Sequence, residues 1–293
     1  MDSRRAVALS GMRGAADVIR LLDGSRSRDQ LVADARQRGV PPVVTECVLT
    51  TLAAGGAIID FPATALRSMP RDLRQELAPV LAAASFAARD SDGGARLLGR
   101  RSATAVQVRG RGVLADLIAD LLTRSGLAAA ACDGEWRRDG RAPDLVVLVG
   151  YPQPEDVAEL QRRRLAHLAV CVREAIGVVG PLVRPGRSAC LRCLDLARAD
   201  RDPAWPLILA QLPPGRMDVT AGDAVLAAAV AAQGAAQAVA FADRSELVAA
   251  TTNGTLELAL PDWQWRRRTW PPHPACTCGA GSQSGRAEPG SGS

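Results

Sequence analysis

The sequence predicts an α/β protein, with an N-terminal winged-helix-like module followed by a truncated Rossmann-type α/β domain that carries a four-cysteine zinc site. Three observations predict it. The first sixty residues read as strand, three helices and strand. From Ser102 onward, short β-branched runs alternate with amphipathic stretches. Near the end, a C-x-C answers an earlier C-x-x-C. At 293 residues the chain suits about two domains of ~100–200 residues each. Its 47% apolar content is enough to bury a core, although much of it is Ala.

In the N-terminal module, Arg5 to Ser10 reads as a short strand. Ala15, Val18, Ile19 and Leu22 recur at helical spacing, and Gly24 ends that helix. Ser27 and Gln30 form a capping-box pattern for a second helix that stops at Gly39. Pro41 and Pro42 open a third helix with Val44, Val48 and Leu52 on one face, closed by Gly55 and Gly56. Ala57 to Asp60 reads as a following strand. The expected domain plan is 1–62 for this module, 63–101 for a helical joining segment, 102–279 for the α/β domain and 280–293 for a Gly/Ser-rich tail. Within the joining segment, Arg71 to Phe86 is the longest helical patch and Asp90-Ser91-Asp92-Gly93-Gly94 the clearest linker.

In the α/β domain, Thr104 to Val108 reads as a buried strand and Val113 to Arg124 as the helix after it. A short strand over Ala128 to Cys132, an apolar strand over Leu145 to Gly150 and a polar helix over Glu155 to Arg164 follow. Leu168 to Arg173 and Ile176 to Val183 are strands joined by a tight turn. An Ala-rich helix spans Thr220 to Ala242. Two strands, Thr255 to Leu260 and Trp263 to Arg268, complete the sheet. The uncharged stretch Ala224 to Ala242 is long enough to raise the membrane question. It is mostly Ala with Gln233, Gly234 and Gln237 inside, which suits a buried core helix better, so no membrane association is expected. Met1 to Arg5 is not followed by an apolar run, so the expected location is the cytoplasm.

The net charge of +5 invites a nucleic-acid reading. All 36 basic residues are Arg, and 31 acidic residues are interspersed with them, which describes a solvated surface rather than a dedicated patch. A winged helix that reads DNA should also carry Arg, Asn or Gln on its third helix. Pro41 to Gly56 has none, and Glu46 is its one charge. Nucleic acid is therefore not expected as a partner, and a winged-helix DNA-binding regulator stands as an alternative function.

The sharpest chemistry lies in the cysteines. Cys190-Leu191-Arg192-Cys193 and Cys276-Thr277-Cys278 supply two thiolate pairs, the donor set of a closed tetrahedral zinc site with a structural role. Two alternatives stay open: a redox-active C-x-x-C at a helix start, and His273 replacing one cysteine. Cys47, Cys132 and Cys171 read as inert core residues, and His167 as a satisfied core histidine.

Gly110-Arg111-Gly112-Val113-Leu114-Ala115 follows a strand and opens a helix, the context of a dinucleotide fingerprint, with Asp133 placed to hold a ribose. The loop reads as vestigial. Only 10 residues separate Asp133 from Asp144, too few for the helix and strand a nucleotide half-domain needs. The chain also has no Lys to clamp a triphosphate. No catalytic set stands out, and ATP is not expected on this chain; an active adenylyltransferase remains the alternative.

Three stretches are specific: Gly177-Val178-Val179-Gly180-Pro181-Leu182-Val183-Arg184-Pro185-Gly186-Arg187-Ser188-Ala189 leading into Cys190, Asp202-Pro203-Ala204-Trp205-Pro206, and His273-Pro274-Ala275-Cys276-Thr277-Cys278-Gly279. Together they resemble the E1-like (ThiF-related) partner proteins of thiazole/oxazole-modified peptide biosynthesis, over residues 4 to about 280. The resemblance implies an E1/ThiF-like domain without adenylation activity and an N-terminal RiPP recognition element, here shortened at its start, that grips the leader of a ribosomal precursor peptide. It implies a YcaO-type, ATP-dependent cyclodehydratase as partner, which forms azolines from Cys, Ser or Thr; a homodimer is left open. By position, Ala6, Val7, Ala8 and Leu9 would offer backbone hydrogen bonds to the leader, and Val44, Cys47, Val48 and Thr51 a groove. The alternative for these apolar residues is that they fill the module's core.

Overall fold

The structure, a computed structural model, describes residues 7–23, 26–58, 77, 80, 83, 95–132, 134, 136–211, 223–243 and 249–280. Ala6, Gly24, Asp60, the Asp90–Gly94 linker, Asp133, Thr220 and the tail beyond Ala280 lie outside the described residues, as does most of the Arg71–Phe86 patch. The chain divides into two compact units, Met1–Leu98 and Gly99–Ser293.

Among its described residues the first unit opens with helices α1 (Ala15–Leu21), α2 (Arg28–Gln37) and α3 (Pro42–Ala54). The capping box forms as expected: Ser27 Oγ accepts from the Gln30 amide, and Gln30 Oε1 accepts from the Ser27 amide at 2.9 Å. Such a cap contributes about 1 kcal/mol. Pro42 sits in the first turn of α3, where its missing N–H costs nothing. Val18, Leu21, Leu31, Ala35, Val40, Val48, Leu49 and Leu52 close into one apolar core. The two strands expected to flank the helices are not formed in their described parts, since Val7–Leu9 and Ala57–Ile58 are irregular. A strand persists only when another strand takes its hydrogen bonds, and among the described residues neither segment has one.

A further helix, α4 (Ala95–Ala103), leads into the second unit. That unit is organised by a seven-stranded sheet of order β2-β1-β3-β4-β5-β6-β7. The strands are β1 (Ala105–Arg109), β2 (Ala128–Ala131), β3 (Leu145–Val149), β4 (Ala166–Arg173), β5 (Ile176–Val183), β6 (Gly254–Ala259) and β7 (Gln264–Thr269). Strands β1 to β4 pair in parallel, and β4 through β7 run antiparallel. The sequence pattern places these strands to within a few residues. Helices α5 (Val113–Arg124), α6 (Pro154–Arg162), α7 (Leu191–Ala199), α8 (Trp205–Ala210) and α9 (Ala224–Ala242) complete the described elements.

Alternation along β3 divides the two faces. Leu145, Val147 and Val149 pack with Ile118 of α5 and Val230 of α9, whereas Val146 and Leu148 meet Leu160 of α6. Helix α9 is long and apolar enough to cross a membrane by length and composition. Here Leu226, Ala227, Val230, Ala231, Ala235 and Ala238 are buried in the core against the sheet and α5. Gly177 permits that approach, because a Cβ there would collide with the Val230 side chain. Asp223 caps α9 by accepting from the amides of Val225 and Leu226 at 2.8 and 3.0 Å. At the other end of α9, Arg101 forks onto Asp243 at 2.7 and 2.8 Å, fastening α4 to the helix.

Candidate functional site

The four cysteines converge. Cys190 caps the N-terminus of α7 and Cys193 lies in its first turn, while Cys276 and Cys278 arrive from the segment after β7. Cys190 Sγ lies 3.8 Å from Cys193 Sγ and 3.7 Å from Cys276 Sγ, and Cys193 Sγ is 3.6 Å from Cys278 Sγ. All four sulfurs fall within 4.8 Å of one another. Four thiolates at ~2.3 Å from a tetrahedral zinc would stand about 3.8 Å apart. The donor chemistry and the spacing therefore fit an ion such as zinc. With four sulfurs around it such an ion would be coordinatively closed, so what it supplies is a tether between α7 and the chain end. The hydrogen bond from Cys190 pulls Cys193 down to about 4; giving that bond, together with burial, pushes Cys190 up, and burial pushes Cys276 up to about 11.

The surroundings hold this cluster from several directions. Asn253, in a left-handed turn before β6, accepts from the Ala189 amide at 2.7 Å through Oδ1, and its own carbonyl accepts from the Trp270 amide at 2.8 Å. Trp270 is buried beside the cysteines and donates its indole N–H to Thr255 Oγ1 at 2.9 Å. Arg198 of α7 stacks over both Trp205 and Trp270, at 4.8 and 5.3 Å from the ring centres. Trp205 in turn donates to Asp195 at 3.2 Å, which gives the Asp202–Pro206 element a physical role: it pins α8 onto α7. His273 is not grouped with the four sulfurs. Its Nε2–H donates to Asp200 at 2.8 Å and its Nδ1 accepts from the Ala275 amide at 3.2 Å. His167 is a core residue, fully buried, with Nδ1 3.0 Å from the Leu165 carbonyl and its charged form disfavoured by burial.

The residues read as a peptide groove divide. Val48 is wholly buried in the helical core, so it offers nothing to a guest and the core reading holds for it. Cys47 is exposed rather than part of the core. Val44 and Thr51 are half-buried, and Val43 beside them is 79% exposed. Before α1, Val7 and Leu9 pack inward while Ala8 points out, and Val7 lies directly against Gly55 at the end of α3. Val7, Ala8 and Leu9 make no backbone hydrogen bond among the described residues. The one charge on α3, Glu46, is taken up by Arg28 of α2, which holds its carboxyl below the usual range.

At the C-terminal ends of the parallel strands, Gly110 and Gly112 adopt φ values of 144° and 85° and lead into α5. A Cβ on Gly110 would meet Val149 at 2.7 Å. Around this loop, the Arg109 side chain is buried and spent on Asp156 and Glu159 at 3.6 and 3.3 Å. Tyr151, two residues past β3, lies under the guanidinium of Arg173 at 4.1 Å. Gln107 donates to the Gly134 carbonyl, drawing the polar loop across the β1–β2 edge.

E. coli MccB with MccA-N7isoASN matches 91% of this chain and 89% of its own, at TM-score 0.51 and 11% identity. The fold is E1/ThiF-like. E. coli MccB with ATP matches at TM-score 0.53 and 13% identity, again over 91% of this chain and 89% of its own. The heterocyclase TruD matches at TM-score 0.54 and 16% identity, over 90% of this chain and 38% of its own. A heterocyclase with substrate and cofactor matches at TM-score 0.59 and 15% identity. That match takes in 90% of this chain but only 35% of the heterocyclase. No protein-family model and no curated protein matches the sequence. The E1/ThiF-like sheet puts the cysteines beside β5 and β6, and the glycine loop after β1. Sequence reasoning missed Asn253, Trp270 and Arg198 around the cysteines; the Trp-Pro element was the one signal that pointed there.

Proposed function

We propose that this chain binds the leader region of a ribosomal precursor peptide and presents it to a YcaO-type, ATP-dependent cyclodehydratase, itself performing no chemistry. The observation that carries the reading is the backbone of Val7–Leu9, which makes no backbone hydrogen bond among the described residues, beside α3, whose one charge, Glu46, is paired with Arg28. A segment with alternating burial, whose amides have no partner among the described residues, is a template for strand addition. Around Val44, Cys47 and Thr51 the neighbouring wall is small and apolar, suited to a peptide and ill suited to DNA. The fold supports the same reading, since it is shared with MccB crystallised with the peptide MccA and with a heterocyclase. The four cysteines hold zinc as a structural staple in this scheme.

Adenylation is the second reading, favoured by the intact glycine turn at Gly110–Gly112 and by MccB with ATP. It asks for carboxylates that hold Mg²⁺ and cations that hold a triphosphate. Arg109 is neutralised by Asp156 and Glu159, and Tyr151 and Arg173 face each other. The chain has no Lys. Titration calorimetry with leader peptides encoded beside this gene tests the first reading; the expected outcome is a one-to-one complex with Kd in the micromolar range, about −8 kcal/mol. Absence of binding to every such leader, with and without the cyclising enzyme, would abolish it. Peptide-dependent pyrophosphate exchange with ATP would favour the second.

A further inference from the structure

Strand β7 is the last strand of the sheet, and all six of its residues are exposed. Its sequence, Gln264-Trp265-Arg266-Arg267-Arg268-Thr269, is neither a core strand nor a plain polar edge. Trp263 and Trp265 are 43% and 38% exposed. The chain has five Trp, and aromatic residues are only 3% of it, so two exposed indoles within three residues are a concentration. Trp263 also holds φ at 54°, a left-handed conformation that a bulky side chain rarely adopts. Trp and Arg are the residue types that dominate interface hot spots.

The register shows what this edge presents. The Trp270 amide bonds the Asn253 carbonyl, so the Asn253–Trp270 pair is of the hydrogen-bonded kind. Alternation then directs the backbone of Trp265, Arg267 and Thr269 away from β6, toward the edge that no other described strand pairs with. Arg266 and Arg268 share the face of Glu257, while Trp265 lies on the face of Leu258. Arg266 pairs with Asp262, and Arg268 with Glu257 at 2.7 Å; both arginines remain more than half exposed. Exposed pairs of this kind hold weakly and exchange readily for an incoming carboxylate. Two copies of β7 laid edge to edge would bring six guanidinium groups together, which disfavours self-pairing.

We propose that the free edge of β7 is a second docking strip, which takes an extended acidic polypeptide segment as an eighth strand. Main-chain bonds form to Trp265, Arg267 and Thr269. Guest carboxylates at alternate positions face Arg266 and Arg268, and the apolar residues between them lie on Trp265. The strip is independent of the Val7–Leu9 edge and does not rest on the leader-binding reading.

The test uses the full chain and a labelled peptide, an acetylated and amidated octapeptide of alternating valine and glutamate, followed by fluorescence anisotropy at about 50 mM and about 300 mM NaCl. Micromolar binding at low salt is expected, weakened at least about tenfold by the added salt and by the double substitution Arg266→Glu, Arg268→Glu. Hydrogen exchange should slow at the amides of residues 265–269. A peptide N-methylated at alternate residues keeps the charge but loses the pairing, and should bind at least about tenfold more weakly. No binding at low salt, equal binding of the N-methylated peptide, or protection that appears elsewhere than β7 would each overturn the proposal.

Discussion

The four-cysteine centre and the edge at Val7–Leu9 are opposites in how their polar groups are treated. Around the cysteines, the Ala189 amide, the Trp270 indole and both His273 ring nitrogens have protein partners. At Val7–Leu9 the backbone has none among the described residues, although the side chains of Val7 and Leu9 pack onto a core. A region whose polar groups are tied to one another serves stability. A region anchored by its side chains, with no backbone partner among the described residues, is suited to something else.

The largest effect should come from breaking the finished region. Cys190→Ser should abolish a metal content of about one zinc per chain and forfeit apparent binding energy on the order of 10 kcal/mol. Elemental analysis and thermal unfolding with and without chelator check it; full metal content in the variant, or no response of Tm to chelator, would refute the staple. Next, Val48→Asp should place an unpaired charge in the helical core, cost several kcal/mol and melt α1–α3, seen as lost amide protection over residues 15–52. The neighbouring Cys47→Asp separates core from surface. It should change stability by no more than ~0.5 kcal/mol while weakening leader binding about tenfold. A destabilised Cys47→Asp with unchanged affinity would reverse that assignment.

Smaller effects sharpen the open side. Successive amides in an extended segment point to opposite edges, so one of Val7→Pro and Ala8→Pro should lose about three- to tenfold in leader affinity by calorimetry, for one hydrogen bond removed. Equal affinity in both would exclude strand addition there. The smallest effect concerns Glu46, whose carboxyl is held low by Arg28. Its folded value lies below its unfolded one, so the contribution is present above the unfolded value and is lost as pH falls through the folded one. Urea midpoints should therefore show a small penalty for Glu46→Gln at pH ~7 that vanishes on acidification.

The parts that were legible in the sequence are those where one force decides. Strand β3 is buried on both faces and reads as an unbroken apolar run, β1 keeps Ala105, Val106 and Val108 around the polar Gln107 and Arg109, and the capping box at Ser27–Gln30 announced α2. The four-cysteine cluster was legible because the spacing within each cysteine pair is a local property. Helices α7 and α8 were hidden: Arg192, Asp195 and Arg198 interrupt the apolar pattern of α7, and α8 is only six residues long. Val48 lies on a helix whose buried and open sides are both largely apolar, Glu46 being its one charge, so composition did not separate its core role from a groove role. The expected strand at Arg5–Ser10 is a different failure. From Val7 to Ser10 the side chains alternate as in a strand, but the hydrogen bonds that define one must come from elsewhere.

A zinc ion held by Cys190, Cys193, Cys276 and Cys278 would also have a mechanical result. It would enclose α9, β6 and β7 between two fixed points, so that tension applied at the C-terminal end would be routed into α7 and bypass the hairpin. Stripping that ion would let the same pull unzip β7 from β6 one bond at a time, turning a strong joint into a weak one.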